Sequence, residues 1–77
     1  MNRNIQIGKS YHHFKGNIYK VLYIGYNSET LEKLVIYRDL NDENKIWVRP
    51  YDMFISLVDK NKYPDVKQKY RFELIKK

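Results

Sequence analysis

The sequence predicts an all-β domain: a small barrel of five to six short strands with one helical turn near Pro50 to Phe54. Three observations predict it. β-Branched and aromatic residues recur with strand-like alternation, Gly or Asn stands at the breaks, and no helix-period run exceeds a few residues. A chain of 77 residues, 43% of them hydrophobic, can bury one core, so most of its aromatics are needed inside it.

The first strand is expected from Lys9 to Phe14. Gly16-Asn17 reads as a two-residue hairpin turn, because Gly accepts the positive φ required at its first position. That register sets Phe14 opposite Tyr19 and His13 opposite Lys20. The second strand runs Ile18 to Tyr26 and ends in a turn at Asn27-Ser28-Glu29-Thr30. A third covers Leu34 to Leu40. Asn41 to Lys45 contains no apolar residue and reads as a polar loop before a fourth strand, Ile46 to Arg49.

Pro50, with its preset φ, opens a single helical turn through Tyr51-Asp52-Met53-Phe54. Ile55 to Val58 reads as a fifth strand. A polar link containing Pro64 leads to the alternating segment Tyr70 to Ile75, a sixth. Short strands joined by tight turns cannot leave edges and apolar faces bare, and a strongly bent barrel is the economical closure. An SH3-like barrel fits best, with a two-layer β-roll as the alternative. Residues 1–77 form one domain, with 1–8 expected as a loose N-terminal arm and 76–77 as a tail.

The formal net charge is +6, unevenly spread. Residues 1–59 hold eight Lys/Arg against seven Asp/Glu, whereas residues 60–77 hold seven against two. Such a basic segment can attract phosphates. Codon bias is the competing explanation: Lys, Ile, Tyr and Asn, all with A/T-rich codons, supply 34 of the 77 residues, and Ala is absent.

Cysteine is absent, which excludes disulfides, thiolate metal sites and cysteine nucleophiles. No apolar stretch has the length of a signal-peptide core or a membrane span, so a cytoplasmic location without membrane association is expected.

Tyr11-His12-His13-Phe14-Lys15-Gly16-Asn17-Ile18-Tyr19-Lys20-Val21 resembles the opening of the bacterial domain-of-unknown-function family 1653. Ser28-Glu29-Thr30, Val35-Ile36-Tyr37, Trp47-Val48-Arg49-Pro50 with Met53-Phe54, and Arg71-Phe72 continue the resemblance, which spans residues 9 to 75. It implies an SH3-like β-barrel and carries no function, catalytic residue or ligand. Two places depart from the family pattern. Tyr26-Asn27 stands where a basic residue and a histidine are common, and Ile55-Ser56 where an acid is frequent.

Little in the sequence points to catalysis. His12 and His13 are adjacent on a strand, point to opposite faces and cannot chelate one metal together. One half-buried, hydrogen-bonded histidine and one exposed histidine are expected. Ser10, Ser28 and Ser56 lack a nucleophile elbow, and three glycines, at 8, 16 and 25, form no phosphate loop. The expectation is a non-enzyme without cofactor or metal.

The most site-like feature lies on the third and fourth strands. With Leu40 near Ile46, Tyr37 and Asp39 share a face with Trp47 and Arg49, while Ile36, Leu40, Ile46 and Val48 face the core. Trp, Tyr and Arg are the side chains that dominate binding hot spots. The competing structural role has Trp47 packing under the Pro50 turn and Arg49 pairing with Asp39. Tyr37, Trp47, Arg49 and His13 are therefore the candidate ligand-binding residues of a monomeric module for a protein or peptide partner. The alternative is a nucleic-acid binder using Lys60, Lys62, Lys67, Lys69 and Arg71, with exposed tyrosines stacking on bases.

Overall fold

The computed structural model describes residues 4–76. Five antiparallel strands form one sheet: β1 (Ser10–His13), β2 (Ile18–Tyr26), β3 (Lys33–Asp39), β4 (Asp42–Pro50) and β5 (Phe72–Leu74). One short helical turn, α1 (Tyr51–Phe54), follows β4. The strand order is β4-β3-β2-β1-β5. The small all-β class with its single turn after Pro50 is therefore the one expected from the sequence.

The first hairpin corrects the expected turn. Tyr11 pairs with Tyr19 and His12 with Ile18, a register three residues away from the one a two-residue loop would give. The Gly16 N–H donates to the His13 carbonyl and the His13 N–H to the Asn17 carbonyl, both at 2.8 Å. The loop is thus the three residues Phe14-Lys15-Gly16, with Gly16 at φ +110°. A three-residue hairpin closes with a positive-φ glycine just as a two-residue one does, so the glycine alone does not choose between them. The corrected register puts Tyr11, His13 and Tyr19 on one face.

The β3–β4 hairpin, by contrast, is tighter than expected. Asp39 pairs with Asp42, so Leu40-Asn41 makes the turn and β4 absorbs most of the polar run. The Asp39 carboxylate accepts the Asn41 N–H at 2.8 Å and the Asp42 carboxylate the Asn44 N–H at 3.1 Å. Tyr37 lies opposite Trp47 and Val35 opposite Arg49. The core side of this hairpin is the reverse of the expected one. Val35 and Tyr37 are buried, while Leu40, Ile46 and Val48 are 41%, 50% and 59% exposed. The reason is ring packing: Tyr37 meets Tyr19, Phe54 and Phe72 edge-on, at 5.2 to 5.5 Å between centroids. Tyr37 thus buries a large ring and gains three edge-to-face contacts on that side of the sheet.

The sheet is curled. Phe54, just beyond β4, stacks on Phe72 of β5 at 4.0 Å with an interplanar angle of 7°. These residues come from the two ends of the strand order, so their contact folds the sheet over its own apolar face. Tyr11, Val21, Val35, Tyr37, Phe54 and Phe72 make one buried cluster.

Ile55 to Val58 does not form a full strand. It makes one bridge, Leu57 to Tyr70, flanked by N–H donation from Val58 to the Lys69 carbonyl and from Arg71 to the Ser56 carbonyl. Of the expected N-terminal arm, residues 1–3 lie outside the described residues, but 5–8 are tied down. The Ile5 N–H donates to the Tyr51 hydroxyl, Gln6 N–H to the Tyr11 hydroxyl, and Gly8 N–H to the Val21 carbonyl. Of the expected tail 76–77, Lys77 also lies outside the described residues. Among the described residues, no helix is long and apolar enough to cross a membrane.

The glycine geometry is testable. A Cβ on Gly16 meets nothing within 4 Å, so the cost of a side chain there is backbone strain alone. Gly16→Ala is expected to destabilise by more than about 1 kcal/mol in denaturant melts. An alanine variant of equal stability contradicts the positive-φ turn.

Candidate functional site: a cationic cleft

The corrected first hairpin carries the site. Its tip stands against the 59–63 turn and Arg71, with Arg49 from the end of β4 alongside. Together His13, Phe14, Lys15, Arg49, Asp59, Lys62, Tyr63 and Arg71 line a cleft of about 270 Å³.

Each wall has an identifiable support. The Phe14 N–H donates to the Arg71 carbonyl at 3.0 Å, holding Arg71 beside the hairpin tip. The 59–63 turn is closed by Asp59, whose carboxylate oxygen accepts the N–H groups of Asn61 and Lys62. Phe14 and Tyr63 meet edge-on at 4.9 Å, and the Lys15 ammonium lies 5.9 Å and 5.5 Å from their centroids. Both guanidiniums are anchored through Nε. Arg49 donates to the Tyr37 hydroxyl at 3.2 Å and lies over the Phe72 ring at 5.3 Å, and Arg71 donates to the Leu57 carbonyl at 3.4 Å.

His13 records the field in the cleft. Its ring packs on Phe72 at 4.7 Å, and its Nδ1 accepts the Lys15 N–H at 3.1 Å, which leaves the proton of the neutral ring on Nε2. Burial pushes its pKa down from 6.5 to about 4, assisted by the positive charges of Arg49, Lys15, Arg71 and His12 in that order. The Tyr63 hydroxyl is likewise shifted below its ordinary value, first through its hydrogen bond to Lys15.

The candidates from the sequence separate into four groups. His13, Arg49, Lys62 and Arg71 come together in the cleft. Tyr37 is buried at 4% exposure, so its part is to orient Arg49 through its hydroxyl rather than to touch a ligand. Trp47, 42% exposed on edge strand β4, does not line the cleft, although it lies two residues from Arg49.

The remaining basic residues do not join it. The Lys60 ammonium donates to the carbonyls of Val66 and Gln68, and Lys69 lies 5.4 Å over the Tyr70 ring. Lys67 is exposed and outside the cleft. Asp39 accepts from Asn41 in its own turn.

Neither histidine is fully exposed, contrary to expectation. His12 bonds the Gln68 side-chain oxygen through Nδ1 at 2.7 Å, while the Gln68 amide donates to the His12 carbonyl at 2.9 Å. Sequence reasoning missed Phe14, Lys15, Asp59 and Tyr63. Counting three residues into the first loop would have found Lys15 at its tip. Among the described residues, no group of three His, Asp or Glu could hold a metal ion.

A small all-β domain with a cationic, aromatic-walled cleft is the class of protein that fold and site define. Residues 9–74 match the family described as "Protein of unknown function (DUF1653)", and the chain belongs to that family. No curated protein and no solved structure matches it.

The His13 environment sets a pH dependence. Below about 6.5 the unfolded chain takes up a proton that the folded one refuses until about pH 4, so stability is full above that window and falls as pH drops through it. The loss is on the order of 2 kcal/mol after discounting for partial exposure. Denaturant melts between pH 7 and pH 4 should show it, and His13→Gln should flatten the dependence. An unchanged slope in the variant contradicts the assignment.

Proposed function

We propose that this domain is a non-catalytic binding module for a protein or peptide partner, engaged at the cationic cleft. The supporting observation is the convergence of His13 and Arg49 with Lys15, Lys62 and Arg71 around one opening walled by Phe14 and Tyr63. Arg guanidiniums whose Nε is already anchored present their terminal nitrogens as a fork suited to carboxylate or phosphate. Exposed Trp47, close by on β4, supplies the kind of aromatic anchor that dominates peptide interfaces. The binding groups sit at the tip of a hairpin and on a short turn, over a core closed by ring packing. A catalytic role would require a nucleophile paired with a base. Ser56, whose carbonyl accepts the Arg71 N–H, instead donates its hydroxyl to the Met53 carbonyl at 2.6 Å.

A nucleic-acid reading is favoured by one observation: Lys62 and Arg71 stand beside two aromatic rings. It is weakened by the rest of the basic segment. A strand-tracking site needs a continuous cationic groove, and Lys60 is committed to closing its own loop.

Selection from a random peptide library on the immobilised protein tests the proposal. Acidic peptides should be enriched, the double change Lys15→Gln with Arg71→Gln should weaken their binding by about tenfold or more, and Trp47→Ala should weaken it measurably. Submicromolar, Trp47-dependent binding of single-stranded DNA or RNA at physiological salt, with no peptide enrichment, would replace this reading with the alternative.

A further inference from the structure

We propose that the cleft is a receptor for a phosphomonoester group carried on a side chain of the partner, an inference that rests on the binding role proposed above.

Charge is the first ground. Lys15, Arg49, Lys62 and Arg71 supply four positive charges and Asp59 one negative, so 4 − 1 leaves +3 around a cleft of about 270 Å³. Asp59 is already occupied by two backbone N–H groups. One carboxylate would offset a single charge. A phosphomonoester carries about −1.5 to −2 and has three strong acceptor oxygens, and it matches the excess more closely.

Donor geometry is the second. Arg49 and Arg71 each spend Nε on an internal acceptor, which fixes the guanidinium and leaves the terminal nitrogens for a ligand. Recognition of phosphate by paired or clustered Arg depends on such preoriented forks. His13 adds a neutral N–H donor, since its Nδ1 is taken by the Lys15 N–H. Lys15 and Lys62 each lie 5.5 Å from the Tyr63 ring, from opposite segments of the rim.

Extent is the third. The charges surround one opening instead of tracking a groove. That arrangement suits an isolated dianionic group, whereas a nucleic-acid backbone offers a file of singly charged diesters. Compensation of the cationic field by a bound dianion would also raise the pKa of His13, because the positive neighbours help to hold it down.

The test uses the intact protein and three degenerate peptide pools that differ only at a fixed central position: phosphoserine, glutamate or serine. A single-stranded oligonucleotide and inorganic phosphate complete the set. The phosphoserine pool should bind about tenfold or more tightly than the serine pool and clearly more tightly than the glutamate pool. Inorganic phosphate should compete, amide shifts should centre on residues 13–15 and 71, and the His13 pKa should rise on binding. Lys15→Gln and Arg71→Gln, both away from the buried cluster, should each abolish the preference for phosphoserine. Equal binding of all three pools would overturn the phosphate inference while leaving the peptide-binding role intact. No binding of any pool would overturn both. Tight oligonucleotide binding that inorganic phosphate does not displace would overturn both in favour of nucleic acid.

Discussion

The stacked pair Phe54 and Phe72 is the contact on which the rest of this domain depends. A five-stranded sheet of this size has two exposed edges and one apolar face, and it holds together only if that face is folded onto itself. Phe54 extends from the β4 edge and Phe72 belongs to the opposite edge strand, β5. Their face-to-face contact at 4.0 Å, surrounded by Tyr11 and Tyr37 edge-on, draws the two ends of the curled sheet together over one core.

The same pair organises the cleft. One side of Phe72 is covered by Phe54, and the ring also receives the Arg49 guanidinium and the His13 imidazole. Arg49 is thereby held by a ring and a hydroxyl at once, and His13 is partly withdrawn from water. The core therefore positions Arg49 and His13, whereas Lys15, Lys62 and Tyr63 stand on the first hairpin loop and the 59–63 turn.

Much of this was legible in the sequence, and the failures have specific causes. β2 was readable to the residue and α1 to within one, because long alternation and a proline beside a turn are strong local signals; Pro50 itself ends β4 and caps the turn instead of opening it. The first hairpin was misplaced because positive φ at Gly16 serves loops of two or three residues equally. That error moved Tyr19 away from Tyr11 and hid Lys15 at the loop tip. The core face of β3 and β4 was reversed because aliphatic residues were weighed above Tyr37, whose burial is satisfied by the Arg49 hydrogen bond and by three neighbouring rings. Arg49 and His13 were found as residue types, but their meeting with Arg71 depends on β1 pairing with β5, a contact between distant parts of the chain that no local pattern encodes.

The central claim is that Phe72 joins fold closure to the chemistry of the cleft. Titration of the His13 ring by NMR in Phe72→Leu, under conditions where the variant remains folded, tests it most directly. A smaller side chain lets water reach the imidazole and loosens Arg49, so the His13 pKa should climb from about 4 back toward 6.5. A folded Phe72→Leu protein in which His13 still titrates near 4 would contradict the account.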